Sequence, residues 1–459
     1  MVIALKKNAT LVLDIGKTNV KLVLLDADGA LLAEHRSPNT IATDGLYPHH
    51  DTERIWTWML VTMGGCARIA EVGAIVPVTH GATAALVDAQ GLVLPVLDYE
   101  FALPADADAA YLAVRPPYAE TLSPALPAGL NLGRQLAWQA GAFPDAFARA
   151  SQLLMYPQYW AWRLCGVAAS EVSSLGCHTD MWQPQAHAYS SLVARMGWDG
   201  LLPPLRNAWD ALGALKPELA TLTGLPATCQ VLCGVHDSNA SLLRYLASGD
   251  GAPAPTVLSS GTWLIAAALG APLGHLVERD DMLANTSVVN EPVPCMRFMG
   301  GREFAALAGA DAAPCSAADL ARMVAQRSFA LPCFAPSGGP FSGQAGHIVG
   351  PVPSTDAERT ALATLYCVLM SDYCLTALGS TSAIVVEGPF TGNPFFSPLL
   401  AALRPGQALA QSDDASGTTC GAWMLHHWGR QPDGAPAPVA PLPLAGLRAY
   451  RDQWRASLP

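Results

Sequence analysis

Residues 11–26, with the sequence LVLDIGKTNVKLVLLD, decide the fold that we expect for this chain. Two runs rich in Val and Leu flank a short polar break, which is typical of two β-strands joined by a tight hairpin. Gly16 lets the backbone turn sharply and approach a ligand closely. Thr18 and Lys21 can donate to phosphate oxygens, and Asp14 ends a buried strand with a carboxylate suited to a hydrated Mg²⁺. A plain hairpin with a polar tip is the alternative that these residues leave open.

The composition predicts a large, well-packed protein that does not bind nucleic acid. Of the 459 residues, 51% are hydrophobic and only 14% are charged, which suits about two or three domains with sizeable cores. The formal net charge is −11, and the sequence contains no cluster of Lys and Arg. Nucleic acid is therefore not an expected partner, because neutralisation of phosphates dominates such binding. An anionic substrate would require positive groups gathered locally.

Cysteine usage and the first residues predict a cytoplasmic protein. The 11 cysteines are scattered and their spacing fits neither a zinc site nor a redox pair, which indicates reduced structural thiols. Residues 1–9 lack the separate apolar core and cleavage site of a signal peptide. Every long apolar run is interrupted by polar residues or proline before it reaches membrane-spanning length. We therefore expect a soluble protein with no membrane partner.

The first half of the chain alternates helical and extended patterns. Residues 51–70 have helical spacing, whereas 72–78 and 84–88 are predicted strands, and this order indicates an α/β domain with a mixed sheet. His80 falls just beyond the end of a strand, where ligands of such sheets collect. A structural histidine is the alternative to a ligand contact at this position.

The next stretch carries a second candidate for substrate binding. Residues 101–127 are rich in Ala, Pro and Asp and are predicted to be an excursion over the surface. Residues 130–143 return to helical spacing, and Asn131 at their start can reach a substrate. A solvated polar face of this helix explains the same residue equally well.

The pattern of the opening hairpin recurs in the middle of the chain. Residues 256–266, TVLSSGTWLIA, again place a Gly/Ser/Thr tip between two apolar strands, although the residues themselves differ. Ser260, Gly261 and Thr262 supply backbone and hydroxyl donors for phosphate oxygens, with an ordinary turn as the alternative. Two such hairpins, one at the start of each half, predict two related domains that face each other across a cleft.

A carboxylate precedes the second hairpin. In residues 231–240, VLCGVHDSNA, a short apolar strand ends in a polar turn and enters a helix. Asp237 is a candidate base because a carboxylate at a strand end can reach a bound hydroxyl, but it also suits the N-cap of the helix. We place the boundary here, which predicts domains at 1–232 and 233–430 and a tail at 431–459 that is extended and then briefly helical.

In their order and spacing, these motifs resemble the FGGY family of carbohydrate kinases, which have the actin-like ATPase fold. The similar segments are 14–21 for the first phosphate hairpin, 157–166 for a helix late in the first domain, 234–237 for the catalytic aspartate, 259–262 for the second phosphate hairpin, and 386–390 with Asn393 for the adenine-binding turn. The resemblance implies an α/β fold of two actin-like, ribonuclease H-like ATPase domains with mixed sheets flanking a central cleft.

The resemblance also implies an activity. It is that of an ATP- and Mg²⁺-dependent kinase that transfers the γ-phosphate to a terminal hydroxyl of a ketose, with domain closure during catalysis and a homodimer as a common assembly. The Ser-Ser-Gly-Thr-Trp hairpin resembles the rhamnulose and fuculose kinase branches, and the segment 79–81 is similar to the sugar-contacting segment of xylulose kinases.

Each motif then implies a set of site residues. Asp237 is the catalytic residue, and Asp14 is the metal ligand. The implied sugar-binding residues are Thr79, His80, Gly81, Asn131, Asp237 and Ser238. The implied ATP-binding residues are Gly16, Lys17, Thr18, Lys21, Ser260, Gly261, Thr262, Gly301, Gly388, Pro389, Phe390 and Asn393.

Two residues depart from the family pattern, and two other functions remain open. Pro389 replaces a glycine of the adenine turn, which removes an N–H donor and leaves the nucleotide preference undecided. Lys17 stands where a small hydroxyl residue is common, and it either contacts phosphate or points to solvent. The rival functions are a kinase for a polyol, a sugar acid or a signalling sugar, and a non-catalytic nucleotide-binding regulator of the same fold.

Overall fold

The computed structural model describes residues 6–246, 253–309, 312–412, 417–431 and 434–459. The chain forms two compact units. The first unit contains Met1–Ala247, Ala284–Pro292 and Ser416–Asp433. The second unit contains Ser248–Leu283, Val293–Ala415 and Gly434–Pro459.

The first unit is built on a mixed β-sheet. The strands up to residue 236 are β1 (Lys6–Ile15), β2 (Asn19–Leu25), β3 (Leu31–Pro38), β4 (Ile41–Ala42), β5 (His49–His50), β6 (Ala70–Thr79), β7 (Ala84–Asp88), β8 (Gly91–Leu92), β9 (Gln152–Met155), β10 (Trp182–Gln183), β11 (Ala188–Tyr189), β12 (Ala211–Ala214), β13 (Gln230–Leu232) and β14 (Val235–His236). The main sheet has the order β12-β13-β6-β1-β2-β3, and β14 also pairs with β6. β1 runs antiparallel to β2 and parallel to β6, which is itself parallel to β13 and β14.

Helices cover the sheets of both units. In chain order they are α1 (Thr52–Cys66), α2 (Ala105–Val114), α3 (Tyr118–Thr121), α4 (Leu132–Ala142), α5 (Pro144–Phe147), α6 (Tyr156–Cys165), α7 (Val172–Leu175), α8 (Ser191–Met196), α9 (Pro217–Thr223), α10 (Asp237–Leu246), α11 (Gly300–Ala308), α12 (Ala317–Gln326), α13 (Asp356–Ala377), α14 (Phe396–Leu403), α15 (Gly417–His426) and α16 (Leu447–Ala456). α1 to α10 and α15 belong to the first unit.

β1 is buried on both faces, which explains its continuous apolar run. Leu11 and Leu13 pack with residues of α1 and α6 in one apolar cluster, and Val12 packs on the opposite face with Trp423 of α15. The alternation of side chains along a strand produces this division. A shift of register by one residue would exchange the two faces, so packing specifies the register of β1 strongly.

The second unit repeats this arrangement. The strands after α10 are β15 (Thr256–Ser260), β16 (Leu264–Ala268), β17 (Leu283–Thr286), β18 (Pro292–Phe298), β19 (Phe329–Leu331), β20 (His347–Val349), β21 (Ile384–Glu387), β22 (Leu409–Ser412) and β23 (Ala437–Pro438). Apart from Ala284–Thr286 of β17 and Pro292 of β18, their residues belong to the second unit. The strands β18-β16-β15-β21-β22 follow one another in the sheet, and their directions match those of β3-β2-β1-β6-β13. A mixed sheet opened by a hairpin in each half is the internal repeat that the sequence predicted.

α13 is the core helix of the second unit. Its N-cap is Thr355, whose side chain accepts from the backbone N–H of Glu358, and its residues are buried on most sides. Among the described helices it is the one long and apolar enough to cross a membrane by length and composition. Within the protein, 83% of that apolar stretch is buried, as in a helix that the rest of the unit surrounds.

The helix that carries Asp237 lies in the first unit, whereas the sequence had placed that residue in the domain 233–430. Ala240 and Leu243 of α10 share an apolar cluster with Ala422 and Trp423 of α15. α15 is distant in the chain but packs against the first unit through this cluster. Burial of these side chains therefore assigns both helices to the first unit.

Residues 434–459 belong to the second unit rather than to a separate tail. Trp454 of α16 is fully buried, and its indole N–H donates to the carbonyl of Ala330 at 2.7 Å. The hydroxyl of Tyr450 also donates inward, to the carbonyl of Ser328. A buried tryptophan with a satisfied N–H anchors the end of the chain to this core.

Residues 101–127, expected as a surface excursion, contain α2 and α3. The hydroxyl of Tyr111 donates to Oδ2 of Asp180 at 2.6 Å, and Arg115 donates to the same oxygen at 3.1 Å. Tyr111 is 1% exposed. The Ala- and Asp-rich sequence did not predict α2, because the apolar stripe of this helix is narrow. Its buried contacts are made with residues that are distant in the chain.

Gly421 tests the packing that holds α10 in place. A Cβ on Gly421 would lie 1.8 Å from the carbonyl oxygen of Ala240. Because a backbone oxygen yields only if the two helices separate, we expect Gly421→Ala to lower the free energy of unfolding by about 1–3 kcal/mol. Urea denaturation followed by circular dichroism measures the change.

Gly141→Ala is the matched control for that substitution. Gly141 also lies in a helix, but a Cβ there meets nothing within 4 Å. Because alanine favours a helix more than glycine does, its free energy of unfolding should rise by up to about 1 kcal/mol. Equal stability of the two variants would contradict the close contact between α10 and α15.

Candidate active site

Asp237 stands where β14 ends and α10 begins, and its side chain is 31% exposed. Oδ1 accepts from the backbone N–H of Ser238 at 2.6 Å and lies 3.2 Å from Nε2 of His236. An N-cap carboxylate accepts from the N–H two or three residues further on, so this bond is of a different kind. Burial raises the pKa of Asp237, and the hydrogen bonds from Ser238 together with the charge of Lys21 oppose that rise.

His80 lies among aromatic rings, close to Asp237. Its ring centroid is 5.0 Å from that of His50, 5.3 Å from Tyr156 and 5.5 Å from Tyr99. Nδ1 is 3.1 Å from the carbonyl of Gly81, whereas Nε2 is buried and has no hydrogen-bond partner within the described ranges. Burial lowers the pKa of His80, so the neutral ring can share a hydrogen bond with a bound hydroxyl.

Asp14 and Lys21 face each other across the first hairpin. They are paired in the β1–β2 register, and Nζ of Lys21 lies 3.2 Å from Oδ2 of Asp14. Burial raises the pKa of Asp14, Lys21 lowers it, and the negative charge of Asp237 raises it again. The carboxylates of Asp14 and Asp237 are therefore close enough to influence each other.

Lys17 does not point to solvent. Its ammonium pairs closely with Asp98, lies 3.5 Å from Glu100, and sits 4.9 Å from the centroid of the Tyr99 ring. Two carboxylates thus compensate its charge. Its expected contact with phosphate remains a prediction that this pairing does not favour.

The tip of the first hairpin presents Gly16 and Thr18. The N–H of Gly16 donates to the carbonyl of Asn19 at 2.9 Å, and the amide of Asn39 donates to the carbonyl of Gly16 at 2.8 Å. Thr18 is exposed, as a phosphate contact requires. Asn39 therefore braces the turn from a neighbouring strand end.

The remaining sugar-binding candidates differ in what their side chains are free to do. Thr79 is buried and donates to the carbonyl of His80 at 3.0 Å, and Gly81 lies against His236, since a Cβ there would be 2.9 Å from Nε2. Ser238 is exposed beside Asp237. Ser238 is thus accessible to a ligand, whereas the hydroxyl of Thr79 is engaged in a hydrogen bond within the protein.

Asn131 is occupied within the protein. Its side chain is fully buried, Oδ1 accepts from the N–H of Leu126 at 2.8 Å, and Nδ2 donates to Ser123 and to backbone carbonyls. These bonds hold the chain before α4 in place. We therefore do not retain Asn131 among the proposed sugar contacts.

In the second unit, Ser260 joins the second hairpin to the turn after β21. Its hydroxyl donates to the carbonyl of Glu387 at 2.6 Å and accepts from the N–H of Phe390 at 3.0 Å. Gly388 has φ of +85°, and a Cβ there would meet the carbonyl oxygen of Ser260 at 2.1 Å. Only glycine fits this close approach.

Among the other candidates for nucleotide binding, some have accessible backbone groups and others have buried side chains. Gly261 and Thr262 lie at the hairpin tip, and the N–H of Gly301 donates to the carbonyl of Thr262 at 3.2 Å. Phe390 packs between aromatic rings of the core, 4.9 Å from Phe396. Its backbone, rather than its side chain, is what this turn can offer a ligand.

Pro389 and Asn393 bracket the turn after β21. Pro389 opens a 3₁₀ turn that ends at Gly392, a position where a missing N–H is tolerated. The amide of Asn393 donates to the hydroxyl of Thr364 at 2.9 Å and accepts from the N–H of Phe395 at 3.0 Å. Asn393 thereby stabilises the shape of the turn.

Sequence reasoning missed three residues around Asp237 and His80. His236 lies against the carboxylate of Asp237, while His50 and Tyr99 stack around His80. The position of His236 directly before a candidate base was a usable signal. His50 and Tyr99 come from stretches without a motif, and only the fold brings them here.

Comparison with known proteins agrees with this arrangement. The N-terminal domain of the FGGY family of carbohydrate kinases matches residues 125–243, and the description "Carbohydrate kinase FGGY, C-terminal domain" matches residues 252–434. Together these matches cover more than half of the chain. The chain belongs to the FGGY family of carbohydrate kinases.

Individual relatives support the same assignment. A carbohydrate kinase from Novosphingobium aromaticivorans, known from its crystal structure, is 38% identical, with 99% of both chains covered and a TM-score of 0.92. L-fuculokinase of Salmonella typhi is 29% identical over 280 residues, which are 57% of this chain and 56% of that protein. Xylulose kinase of Escherichia coli (strain K12) is 27% identical over 238 residues, which are 50% of this chain and 48% of that protein. The chain thus spans about half the length of these two curated relatives, and the expected FGGY-type α/β fold is confirmed.

Lys17→Met tests the pairing of Lys17 with Asp98. The substitution leaves a carboxylate that is 9% exposed without its charged partner, and we expect it to lower the free energy of unfolding by about 3 kcal/mol. Adding Asp98→Asn should recover more than half of the loss, because the amide oxygen still accepts from the N–H of Glu100. Urea denaturation of the three variants measures these changes.

Nucleotide binding by the double variant separates the two roles of Lys17. If Lys17 serves the pair with Asp98, Lys17→Met combined with Asp98→Asn binds ATP as tightly as the wild type does. If calorimetry instead showed a tenfold weaker affinity for ATP, Lys17 would be assigned a contact with the phosphates.

Proposed function

We propose that this protein is an ATP- and Mg²⁺-dependent kinase that phosphorylates a terminal hydroxyl of a neutral ketose of the fuculose, rhamnulose or xylulose type. One observation carries the proposal. The carboxylate of Asp237 stands partly exposed at a strand end, beside the unpaired ring nitrogen of His80 and within electrostatic reach of Asp14.

Asp237 is the proposed general base. A base must be able to accept the proton of the sugar hydroxyl, and Oδ1 of Asp237 already accepts from the N–H and the hydroxyl of Ser238. This leaves Oδ2 as the oxygen for the substrate. His80 would orient a second hydroxyl through Nε2.

Charge around this site favours a neutral sugar over a sugar acid. Lys17 is compensated by Asp98 and Glu100, and Lys21 is paired with Asp14. Burial lowers the pKa of the histidines in the cluster, which are therefore neutral near pH 7. Among the residues that the structure describes here, a substrate carboxylate would meet no uncompensated cation, whereas hydroxyl groups suit neutral rings and carboxylates. L-Fuculokinase and xylulose kinase are named for neutral sugars, which agrees with this choice.

Asp14 and Asp237 fit a Mg²⁺ ion. Mg²⁺ keeps several waters and binds through one or two carboxylates together with phosphate oxygens. Burial raises the pKa of both groups, so a nearby cation would stabilise both anions. In the described ranges, no three His, Cys, Asp or Glu side chains are grouped to hold a metal. When bound, the ion would neutralise phosphate charge.

The nucleotide is proposed to bind the second unit. The tip at Gly261 and Thr262 offers N–H groups to phosphate, and the turn at Gly388 and Pro389 offers backbone to the adenine. The hydroxyl of Ser260 holds these two segments together.

A screen of ADP release tests the proposed activity. Purified protein with ATP and Mg²⁺ is offered neutral ketoses, polyols and sugar acids. We expect turnover with at least one ketose and at most a hundredth of that rate with sugar acids. Preferred turnover of a sugar acid would overturn the charge argument, and turnover of none would favour a non-catalytic nucleotide-binding protein.

Asp237→Asn tests the base. The amide keeps the size of the side chain but cannot take a proton, so we expect sugar-dependent ADP release to fall by about 10²–10⁴-fold. ATP affinity, measured by calorimetry, should be unchanged. Turnover like that of the wild type would remove Asp237 from this role.

Asp14→Ala tests the proposed metal ligand. We expect kcat to fall about a hundredfold or more, and the fall to lessen at high Mg²⁺, while sugar affinity changes little. Asp28→Ala removes an exposed carboxylate from the same unit and should leave kcat unchanged. Equal losses of turnover and sugar affinity in Asp14→Ala would mean that Asp14 only stabilises the hairpin.

A further inference from the structure

Three buried ring nitrogens near the candidate base have no hydrogen-bond partner among the described residues. They are Nδ1 and Nε2 of His50 and Nε2 of His80. His50 is 1% exposed and His80 is 7% exposed, so both side chains are removed from the surface. A buried polar group without a partner is destabilising, and the large majority of such groups bond to a polar neighbour or a bound molecule. The two rings therefore mark a place where a polar guest can bind.

The two imidazoles are held next to each other. Their ring centroids are 5.0 Å apart, and the ring of Tyr156 lies 5.5 Å from His50 and 5.3 Å from His80. The backbone N–H of His50 donates to the carbonyl of Val96 at 2.8 Å, and that of His80 donates to the carbonyl of Ile15 at 3.1 Å. One oxygen that lies about 3 Å from a nitrogen of each ring can therefore bond to both. An aromatic wall with a few convergent polar groups is typical of a small-molecule site.

The hydrogen bond of His80 decides what kind of guest fits. Nδ1 lies 3.1 Å from the carbonyl oxygen of Gly81, which only accepts, so Nδ1 carries the hydrogen and Nε2 has a lone pair. Burial lowers the pKa of both His50 and His80, so both rings are neutral near pH 7 and His50 has one N–H to donate. The guest must donate to His80 and accept from His50. A hydroxyl group does both.

Charges around the pair favour a neutral guest over an ion. The ammonium of Lys17 is close enough to influence both rings, which disfavours a cation between them. Lys17 is itself compensated by Asp98 and Glu100, so it offers little attraction to an anion. A neutral hydroxyl group meets neither objection.

We propose that His50 is a sugar-binding residue, which together with His80 holds one hydroxyl of the substrate. The charge of Asp237 influences His80, whereas the main charges that influence His50 are those of His80, Lys17 and His49. The hydroxyl bound by His50 is therefore remote from the one that Asp237 would deprotonate. This inference rests on the proposed function, because it concerns how the neutral ketose is recognised.

Kinetics with deoxygenated substrates test the contact. L-Fuculose, L-rhamnulose and D-xylulose are assayed first, followed by monodeoxy analogues of the ketose that is turned over fastest. His50→Phe keeps an aromatic ring but loses both nitrogens, and we expect its kcat/KM for that ketose to fall about 10–100-fold, mainly through KM. One analogue, which lacks the hydroxyl bound by His50, should be turned over equally well by the wild type and by His50→Phe.

Two further variants separate recognition from structural support. His50→Gln retains a side-chain N–H and should recover most of the loss. His35→Phe replaces an exposed histidine of the same unit and should leave kcat/KM unchanged for every sugar. ATP affinity, measured by calorimetry, should be the same in all variants. A loss of equal size for the ketose and for every analogue would mean that His50 only supports the fold, and would overturn the inference.

NMR of the wild-type protein carries the test if His50→Phe does not fold. Labelling with ¹⁵N-histidine reports the ring nitrogens directly, and the His50 signals are assigned with His50→Gln. Addition of the ketose should shift the signals of His50, and one monodeoxy analogue should leave them unshifted. Unshifted signals with the ketose, or equal shifts with every analogue, would overturn the inference.

Failure of the proposed function gives a different pattern. If no ketose, polyol or sugar acid releases ADP, the kinase activity is refuted. The NMR titration with L-fuculose, L-rhamnulose and D-xylulose then still decides whether a neutral sugar binds at His50. Turnover of a ketose that is insensitive to His50→Phe would overturn this inference and leave the proposed function standing.

Discussion

The pairing of β6 with its parallel neighbours is the constraint on which the candidate site depends. Ile15 at the end of β1 pairs with Thr79 at the end of β6, and Thr79 also pairs with His236 at the end of β14. Three strands therefore finish at one edge of the sheet, and the residues that follow them meet there. His80 and Asp237 are neighbours for this reason, although their positions in the chain differ by 157 (237 − 80).

Much of this arrangement could be predicted from the sequence, because hydrophobic runs and polar breaks report strands and their ends directly. The apolar run before Asp14 and the one before His80 both give buried strands. The repeated hairpin predicted two related domains, and β15 and β16 form the hairpin of a second sheet. The short polar segments between these apolar runs lie at the edges of the sheets, where the strands end.

Partners from distant segments could not be predicted in this way. Lys17 pairs with Asp98, which is 81 residues away in the chain. Asn131 hydrogen-bonds the backbone N–H of Leu126, in a segment that shows no helical or strand periodicity in the sequence. α10 joins the first unit through α15, which follows it by about 180 residues, so an assignment based on chain order placed it elsewhere. Such contacts depend on tertiary packing, which overrides local signals.

Desolvation has opposite effects on the two kinds of group at this sheet edge. Burial raises the pKa of Asp14 and Asp237, which disfavours the anions, and lowers the pKa of His80 and His236, which keeps the rings neutral. Lys21 and the N–H of Ser238 oppose that rise. Neutral rings in turn act as hydrogen-bonding groups rather than as charges. Among the described residues at this edge, Lys17 and Lys21 are both paired with carboxylates, and this pairing supports the proposal that the substrate is a neutral sugar.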